Sequence, residues 1–265
     1  MRDGHIHSPF CPHGSRDSFE KYVEKALRSG YRTISFTEHA PLPANFEDPV
    51  PGKDSAMSMK DFENYLETVN KVRDLYKTDI TIHPGLEVDY IQGYEREIRD
   101  FLDEYGPHLS DSILSVHFLK GESFWHCIDY SPEAFRQAVD DFGGIHSLYS
   151  AYFRQIRHSA SADLGSCKPG RVGHMTLIRK FHHLYPSPEG WESMAEESLP
   201  LIKSSTMELD YNGAGMMKEY CTEPYPPSFI ALKAHETGIP LVYGSDAHTA
   251  KGMNAGKELI RQDLL

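Results

Sequence analysis

The chain begins MRDGHIHSPFCPH, which places three histidines, His5, His7 and His13, among its first 13 residues. His5 and His7 are two residues apart in a segment that reads as a β-strand, so their side chains project from the same face. Paired imidazoles on one face are typical of a metal site. An HxH pair alone is a weak signal, because two exposed histidines would give the same pattern.

Six further residues of metal-ligand type fall at the ends of other apolar, β-rich runs. They are His39 in SFTEH, Glu87 in HPGLEVDY, His117 in ILSVHF, His174 in RVGH, and Asp246 and His248 in VYGSDAH. The carboxyl ends of parallel strands share one face of an α/β barrel, where active sites are assembled. We therefore expect these six residues to meet His5 and His7 there, with His13 joining them from the loop after the first strand.

Imidazole and carboxylate are ligands that Zn²⁺ prefers, and catalytic zinc sites leave one position open for water. Nine such ligands exceed what one ion needs and suit two or three divalent ions with a bridging carboxylate. Zinc is the favoured metal, while iron or manganese would accept the same mixture. Cys11 is interpreted as a buried thiol rather than as a ligand.

The elements that must position these residues alternate along the chain. Strands are predicted over 3–7, 33–38, 80–88, 112–118, 171–174, 206–211 and 240–245, and helices over 16–29, 58–77, 93–104, 132–160, 189–203, 227–237 and 252–262. Alternation of this kind favours parallel strands with right-handed crossovers. Seven units indicate a single TIM-like α/β barrel, closed or distorted, in one domain, 1–265. An open doubly wound sheet is the competitor, but no GxGxxG turn follows the first strand.

Composition limits the possible partners. The 265 residues carry a formal net charge of −12, which disfavours a nucleic-acid binder. No apolar run is long enough for a membrane helix, and the start of the chain lacks the apolar region of a signal peptide. Four scattered cysteines favour reduced thiols, so a cytoplasmic location is expected. The Pro-rich and acidic segment 40–57 is interpreted as a loop beside the histidines and a candidate lid.

The HxH, TEH, strand-three Glu, SVH, GH and SDAH motifs together resemble the polymerase-and-histidinol-phosphatase (PHP) superfamily over about residues 5–256. The HxHSPFCPHG opening and the GLEVDY segment are most similar to its monofunctional histidinol-phosphate phosphatases. The resemblance implies a trinuclear metal centre in a distorted (β/α)₇ barrel. The implied ligand sets are His5, His7, Glu87 and Asp246 for one ion, Glu87, His117 and His174 for a second, and His13, His39 and His248 for a third.

The activity implied is hydrolysis of L-histidinol phosphate, a small phosphate monoester of histidine biosynthesis, by attack of a metal-bound hydroxide. Asp246 or His248 would guide the proton to the leaving group. Candidate phosphate-binding cations are Arg179, Lys120 and Arg154. Glu122 and Asp129 are expected to meet the cationic end of the substrate.

The same motifs are compatible with other functions. The same centre could serve a nucleotide, sugar-phosphate or phosphotyrosine phosphatase, or less readily an exonuclease. An amidohydrolase would also use an HxH barrel, but the strand-four Lys that often bridges its metals is replaced here by His117. A metal-stabilised, non-catalytic scaffold would need fewer ligands. The sequence leaves the oligomeric state open.

Overall fold

The computed structural model describes residues 1–265 and contains nine strands and eight α-helices. The strands are β1 Arg2–Ile6, β2 Thr33–His39, β3 Thr81–Asp89, β4 Ile113–Ser115, β5 Phe118–Lys120, β6 Trp125–Cys127, β7 Arg171–Val172, β8 Glu208–Asn212 and β9 Leu241–Gly244. The helices are α1 Phe19–Arg28, α2 Met59–Leu75, α3 Glu95–Tyr105, α4 Pro132–Asp141, α5 Ile145–Ser161, α6 Trp191–Glu196, α7 Leu199–Ser204 and α8 Ser228–Glu236. None of these helices is long and apolar enough to cross a lipid bilayer.

Seven strands form one parallel sheet in the order β1-β2-β3-β4-β7-β8-β9. The first and last strands approach each other just past the end of β9, where Ile6 pairs with Ala247. There the Asp246 amide donates to the His5 carbonyl at 2.8 Å, and the His7 amide donates to the Ala247 carbonyl at 3.1 Å. The sheet therefore curls into a nearly closed barrel, which confirms the predicted (β/α)₇ architecture.

The helices pack their apolar faces against the outside of this barrel. In α1 the buried residues Phe19, Tyr22, Val23 and Ala26 recur at the three- and four-residue spacing of one helix face. A continuous core of 61 buried residues joins helices and strands. The packing leaves the strand ends, which carry the predicted ligands, as the open face of the barrel.

Three predicted helices differ from the observed ones. Segment 132–160 is split into α4 and α5 by Gly143 and Gly144, whose φ angles of 72° and 129° no helix accommodates. Segment 189–203 is split into α6 and α7, because Pro200 is tolerated only in the first turn of a new helix. Segment 252–262 forms turns instead of a helix, with Asn254 and Gly256 at φ 72° and 64°.

The fourth predicted strand also ends early. The run 112–118 forms a strand only over β4, and the chain then turns into an antiparallel hairpin, β5–β6, that the alternation pattern did not predict. Phe118 pairs with Cys127 in this hairpin. His117 consequently lies between β4 and β5, at the open face of the barrel.

A buried guanidinium fills the barrel near the amino ends of the strands. Arg171 is fully buried, and its Nη1 donates to the Gly4 carbonyl at 2.7 Å. It also forms ion pairs with Asp111 and, at 3.3 Å, with Glu208. These contacts tie β1, β7 and β8 together below the residues that carry the metal-type ligands.

Candidate metal centre

Glu87 lies at the centre of the ligand cluster. It sits near the end of β3, is 1% exposed, and has five imidazoles around its carboxylate. From Glu87 Oε2 the distances are 3.4 Å to His5 Nε2, 3.5 Å to His7 Nε2 and 3.2 Å to His39 Nδ1. From Oε1 they are 2.8 Å to His174 Nε2 and 3.7 Å to His117 Nε2. One carboxylate that faces two groups of imidazoles has the arrangement of a bridging ligand.

Buried carboxylates orient three of these imidazoles from behind. The pairs are His5 Nδ1 with Asp210 at 2.8 Å, His7 Nδ1 with Glu38 at 3.1 Å, and His117 Nδ1 with Asp89 at 2.7 Å. A carboxylate that accepts from Nδ1 leaves Nε2 unprotonated and raises its basicity, as is usual for metal-ligating histidines. In all three cases Nε2 faces Glu87.

A third group of imidazoles lies at the outer edge of the cluster. His13 Nδ1 donates to the Asp54 carbonyl at 2.9 Å, and His248 Nδ1 donates to the Asp246 carbonyl at 3.0 Å. Because carbonyl oxygens only accept, both Nε2 atoms carry lone pairs, and they face each other at 3.2 Å. Two nitrogens bound to one tetrahedral ion at about 2.0–2.1 Å would be about 3.3 Å apart. The His39 ring lies 5.0 Å from that of His13 and 5.8 Å from that of His248.

Several buried polar atoms in the cluster have no hydrogen-bond partner. They are His5 Nε2, both ring nitrogens of His39, Glu87 Oε2 and His174 Nδ1. Unpaired buried polar atoms are costly, and a cation bound among them would satisfy most of this set. Ligand atoms lie within 4.8 Å of one another in the sets His5–His7–Glu87, Glu87–His117–His174 and His7–Cys11–His39–His248. Apart from the Cys11 thiol in the last set, the donors are imidazole nitrogens and carboxylate oxygens, which fit divalent ions such as zinc.

The protonation states differ between the inner and outer parts of the cluster. Burial alone would raise the pKa of Glu87, but the nearby His5 and His117 hold it well below its usual range. Burial and the neighbouring His7 lower the pKa of His248 to about 3 and hold the pKa of His39 well below its usual range. Burial alone would also lower the pKa values of His5, His7 and His117, but the carboxylates beside them raise that of His7 to about 9, raise that of His117 to about 10 and hold that of His5 well above its usual range. Before metal binds, the cluster therefore pairs ionised carboxylates with three cationic imidazoles, and a bound divalent ion would displace the protons from these rings.

Asp246 completes the inner set from the loop after β9. Its Oδ1 lies 3.1 Å from His7 Nε2 and 3.8 Å from His5 Nε2. Its φ of 51° falls in the left-handed region, which is uncommon for a residue other than glycine. The hydrogen bond from the Asp246 amide to the His5 carbonyl, which helps to close the barrel, supports this conformation, and the carboxylate faces the imidazoles.

A cavity of about 820 Å³ opens at the cluster, with Glu87, His117, His174 and Asp246 in its lining. The 40–57 loop contributes Val50, Asp54 and Ser55 to the wall. A cavity of this size accommodates a small-molecule ligand next to the imidazoles.

The predicted phosphate-binding cations lie outside this lining. Arg179 is buried against Glu223, with Nη2 3.0 Å from Oε2, and stacks 3.8 Å from the ring of Trp191. Lys120 is exposed on the β5–β6 hairpin, 5.6 Å from the Trp125 ring, and Arg154 is exposed on α5. The structure thus brings together all nine predicted metal ligands but none of these three cations.

Other charged residues occupy the positions expected of substrate contacts. Lys180 lines the cavity with its Nζ 2.9 Å from Asp129 Oδ2, and Lys218 and Lys251 lie farther out on the exposed rim. Asp129 lies in the lining, whereas Glu122 is exposed outside it.

Sequence reasoning missed Glu38 and Asp210, which are fully buried behind the imidazoles. A signal was available, because each is an acidic residue inside a predicted strand, at positions where apolar side chains are the norm. It also missed Lys180, the immediate neighbour of the predicted Arg179.

The chain is similar to known proteins in both sequence and structure. The histidinol-phosphatase of Bacillus subtilis is 47% identical over 251 residues, which cover 94% of each chain. The solved structure of hisK from Listeria monocytogenes has a TM-score of 0.93 and 38% identity, and the match covers 98% of this chain and 99% of that one. Histidinol phosphate phosphatase from Lactococcus lactis, crystallised with zinc, L-histidinol and phosphate, shares the fold at a TM-score of 0.67 and 20% identity, over 98% of this chain and 92% of that one. The PHP domain family model matches residues 3–214, and this chain belongs to the PHP family.

Proposed function

We propose that this chain is a metal-dependent phosphomonoesterase that hydrolyses L-histidinol phosphate to L-histidinol and phosphate. The observation that carries the proposal is the arrangement of five imidazoles around the buried Glu87 carboxylate at the floor of a cavity. The 47% identical Bacillus subtilis histidinol-phosphatase supports the choice of substrate. Residues 1–265 would act as one domain, in the cytoplasm, where its four free cysteines stay reduced.

The centre would hold three divalent ions, with zinc favoured and iron or manganese compatible with the same ligands. Glu87 would bridge an ion bound by His5, His7 and Asp246 to one bound by His117 and His174. His13, His39 and His248 would hold the third, for which the facing Nε2 atoms of His13 and His248 are the main support. When bound, such ions supply charge neutralisation for the phosphate and an acidified water.

Asp246 and His248 are the candidates for handling the proton that the leaving group takes. His248 has Nδ1 fixed as a donor to a backbone carbonyl and Nε2 turned toward His13. Asp246 keeps a partly exposed carboxylate, whose Oδ2 is 3.3 Å from Asn212 Nδ2. Burial would raise the pKa of Asp246, but His5 and His7 hold it well below its usual range, so its carboxylate is ionised. We therefore assign a binding role to His248 and a relay role to Asp246, which would take up a proton from water in the cavity and pass it to the leaving group.

Lys180 is the best-placed cation for the substrate phosphate. Its Nζ donates to the Asp129 carbonyl at 2.6 Å and to Asp129 Oδ2 at 2.9 Å. An ammonium has three donors, so one remains for a ligand in the cavity. The acidic residues of the lining that are not proposed as metal ligands, Asp54, Asp89 and Asp129, would complement the ammonium and imidazole of histidinol.

A substrate panel tests the proposed function. Zinc-loaded protein is incubated with L-histidinol phosphate, a phosphotyrosine peptide, a nucleotide, a sugar phosphate and single-stranded DNA. Phosphate release is measured for the monoesters, and nucleotide release is measured for the DNA. We expect kcat/KM for histidinol phosphate to exceed the others by at least about tenfold, the effect of roughly one additional polar contact. Equal or higher kcat/KM for another monoester would contradict the substrate assignment and favour a different PHP phosphoesterase.

A further inference from the structure

The 40–57 loop contacts two of the three residues assigned to the third ion. The loop starts directly after His39. Its other end returns to His39, where the Met57 amide donates to the His39 carbonyl at 3.5 Å. In between, the Asp54 carbonyl accepts from His13 Nδ1 at 2.9 Å. The loop is therefore attached to the ligands themselves as well as to the cavity wall.

Asp48 organises the fold of this loop. It is 8% exposed, and Oδ1 accepts from the Val50 amide at 2.9 Å and from Ser55 Oγ at 2.9 Å. Its Oδ2 accepts from the Ser55 amide at 3.1 Å. These bonds close the turn that places the neighbouring Asp54 carbonyl over His13.

His13 lacks the support that the inner ligands His5 and His7 have. It is an exposed residue in a loop, whereas His5 and His7 lie at the end of a strand with buried carboxylates behind them. Without the Asp54 carbonyl, nothing in the structure would fix the tautomer of His13. Its Nε2 would then not be held 3.2 Å from His248 Nε2.

We propose that Asp48 is a positioning residue for the third metal ion. It shapes the 40–57 loop so that the Asp54 carbonyl holds His13 as an Nδ1–H donor, with Nε2 free to bind metal. The inference rests on the third site of the proposed function. Because binding linkage is reciprocal, an ion held by His13, His39 and His248 also stabilises the loop.

The first test is the zinc content of Asp48→Ala after dialysis against a fixed low concentration of free zinc. We expect about three ions per chain in the wild type and about two in the variant. Loss of the Asp54 carbonyl as the hydrogen-bond partner of His13 should lower the affinity for the third ion by roughly 10- to 100-fold. Glu47→Gln is the matched control, because Glu47 is an adjacent acid on the same loop whose ion pair is with the exposed Lys53. Ser55→Ala removes one Asp48 contact and should give an intermediate loss if Asp48→Ala fails to fold.

The second test uses trypsin as a probe of the loop. Lys53 is the only Lys or Arg within 40–57, and cleavage after it gives fragments that mass spectrometry identifies. We expect zinc to slow this cleavage at least about fivefold in the wild type and in Glu47→Gln, and less in Asp48→Ala. Cleavage after Lys77, in the turn after α2, is the internal control and should not respond to zinc.

The inference is overturned if Asp48→Ala keeps the wild-type zinc content, or if zinc leaves cleavage after Lys53 unchanged. A wild type that binds only two ions also overturns it. The proposed function fails by a different observation, a zinc-loaded wild type that does not hydrolyse histidinol phosphate. Either result can occur without the other.

Discussion

Asp210→Asn tests whether the carboxylates behind the imidazoles control metal affinity. Asp210 Oδ2 accepts from His5 Nδ1 at 2.8 Å, from Asn212 Nδ2 at 3.0 Å and from the His174 amide at 3.4 Å. An asparagine oxygen in the same place keeps these acceptor positions and the side-chain volume. The substitution therefore removes the negative charge that raises the basicity of His5 while preserving the packing around it.

The expected magnitude follows from the role of a single supporting carboxylate. Loss of such a partner weakens metal binding by about 10- to 100-fold, which corresponds to about 1.4–2.8 kcal/mol. The ion that we propose is bound by His5, His7, Glu87 and Asp246 should account for this loss. Phosphatase activity should fall in parallel at limiting zinc and recover in part when zinc is in excess.

Chelator competition measures the affinity, and inductively coupled plasma mass spectrometry measures the zinc content. Glu208→Gln is the control, because Glu208 lies on the same strand but pairs with Arg171 at the opposite end of the barrel. An Asp210→Asn protein that binds zinc within twofold of the wild type would refute the reasoning, as would an equal loss in Glu208→Gln.

Three further substitutions test the scaffold by chemical or thermal unfolding. Gly4→Ala would place a Cβ against the Arg171 guanidinium and should destabilise the fold by about 1–3 kcal/mol; unchanged stability would contradict that close approach. Burial would raise the pKa of Asp111, but the Arg171 charge and other partners hold it below its usual value. Its contribution is therefore complete above about pH 4 and is lost as the pH falls through the lower folded-state pKa. Asp111→Asn should lower the free energy of unfolding by about 3–5 kcal/mol at pH 7. It should also weaken the loss of stability at acidic pH, and an unchanged pH dependence would count against the pairing. Tyr65→Phe removes a hydroxyl that donates to carbonyls of β2 and β3 at 2.8 and 2.7 Å, at a cost of about 1–3 kcal/mol; an unchanged melting temperature would show that the bond contributes little.

The metal ligands could be predicted because strand ends are a topological property. Once β-rich runs alternate with helical ones, the carboxyl ends of the strands must share a face. Residues as distant in sequence as His5 and His248 could then be placed together without knowledge of any side-chain contact. The residues that split two of the predicted helices, Gly143 and Pro200, were also present in the sequence, and both are common helix breakers.

The cations that face the cavity could not be predicted in the same way. Arg179 and Lys180 are adjacent in sequence, yet Arg179 turns to Glu223 and Trp191 while Lys180 faces the cavity. Which of two neighbouring side chains faces a cavity depends on the local turn and on partners far away in the chain. Tertiary contacts of this kind leave no periodic signal in the sequence.

Anomalous diffraction at the zinc edge from crystals of the zinc-loaded protein tests the metal centre most directly. The account predicts three peaks: two that share the carboxylate of Glu87, and a third between the Nε2 atoms of His13 and His248. A single peak, or zinc bound away from Glu87, would contradict the central claim that the strand ends jointly hold a cluster of ions.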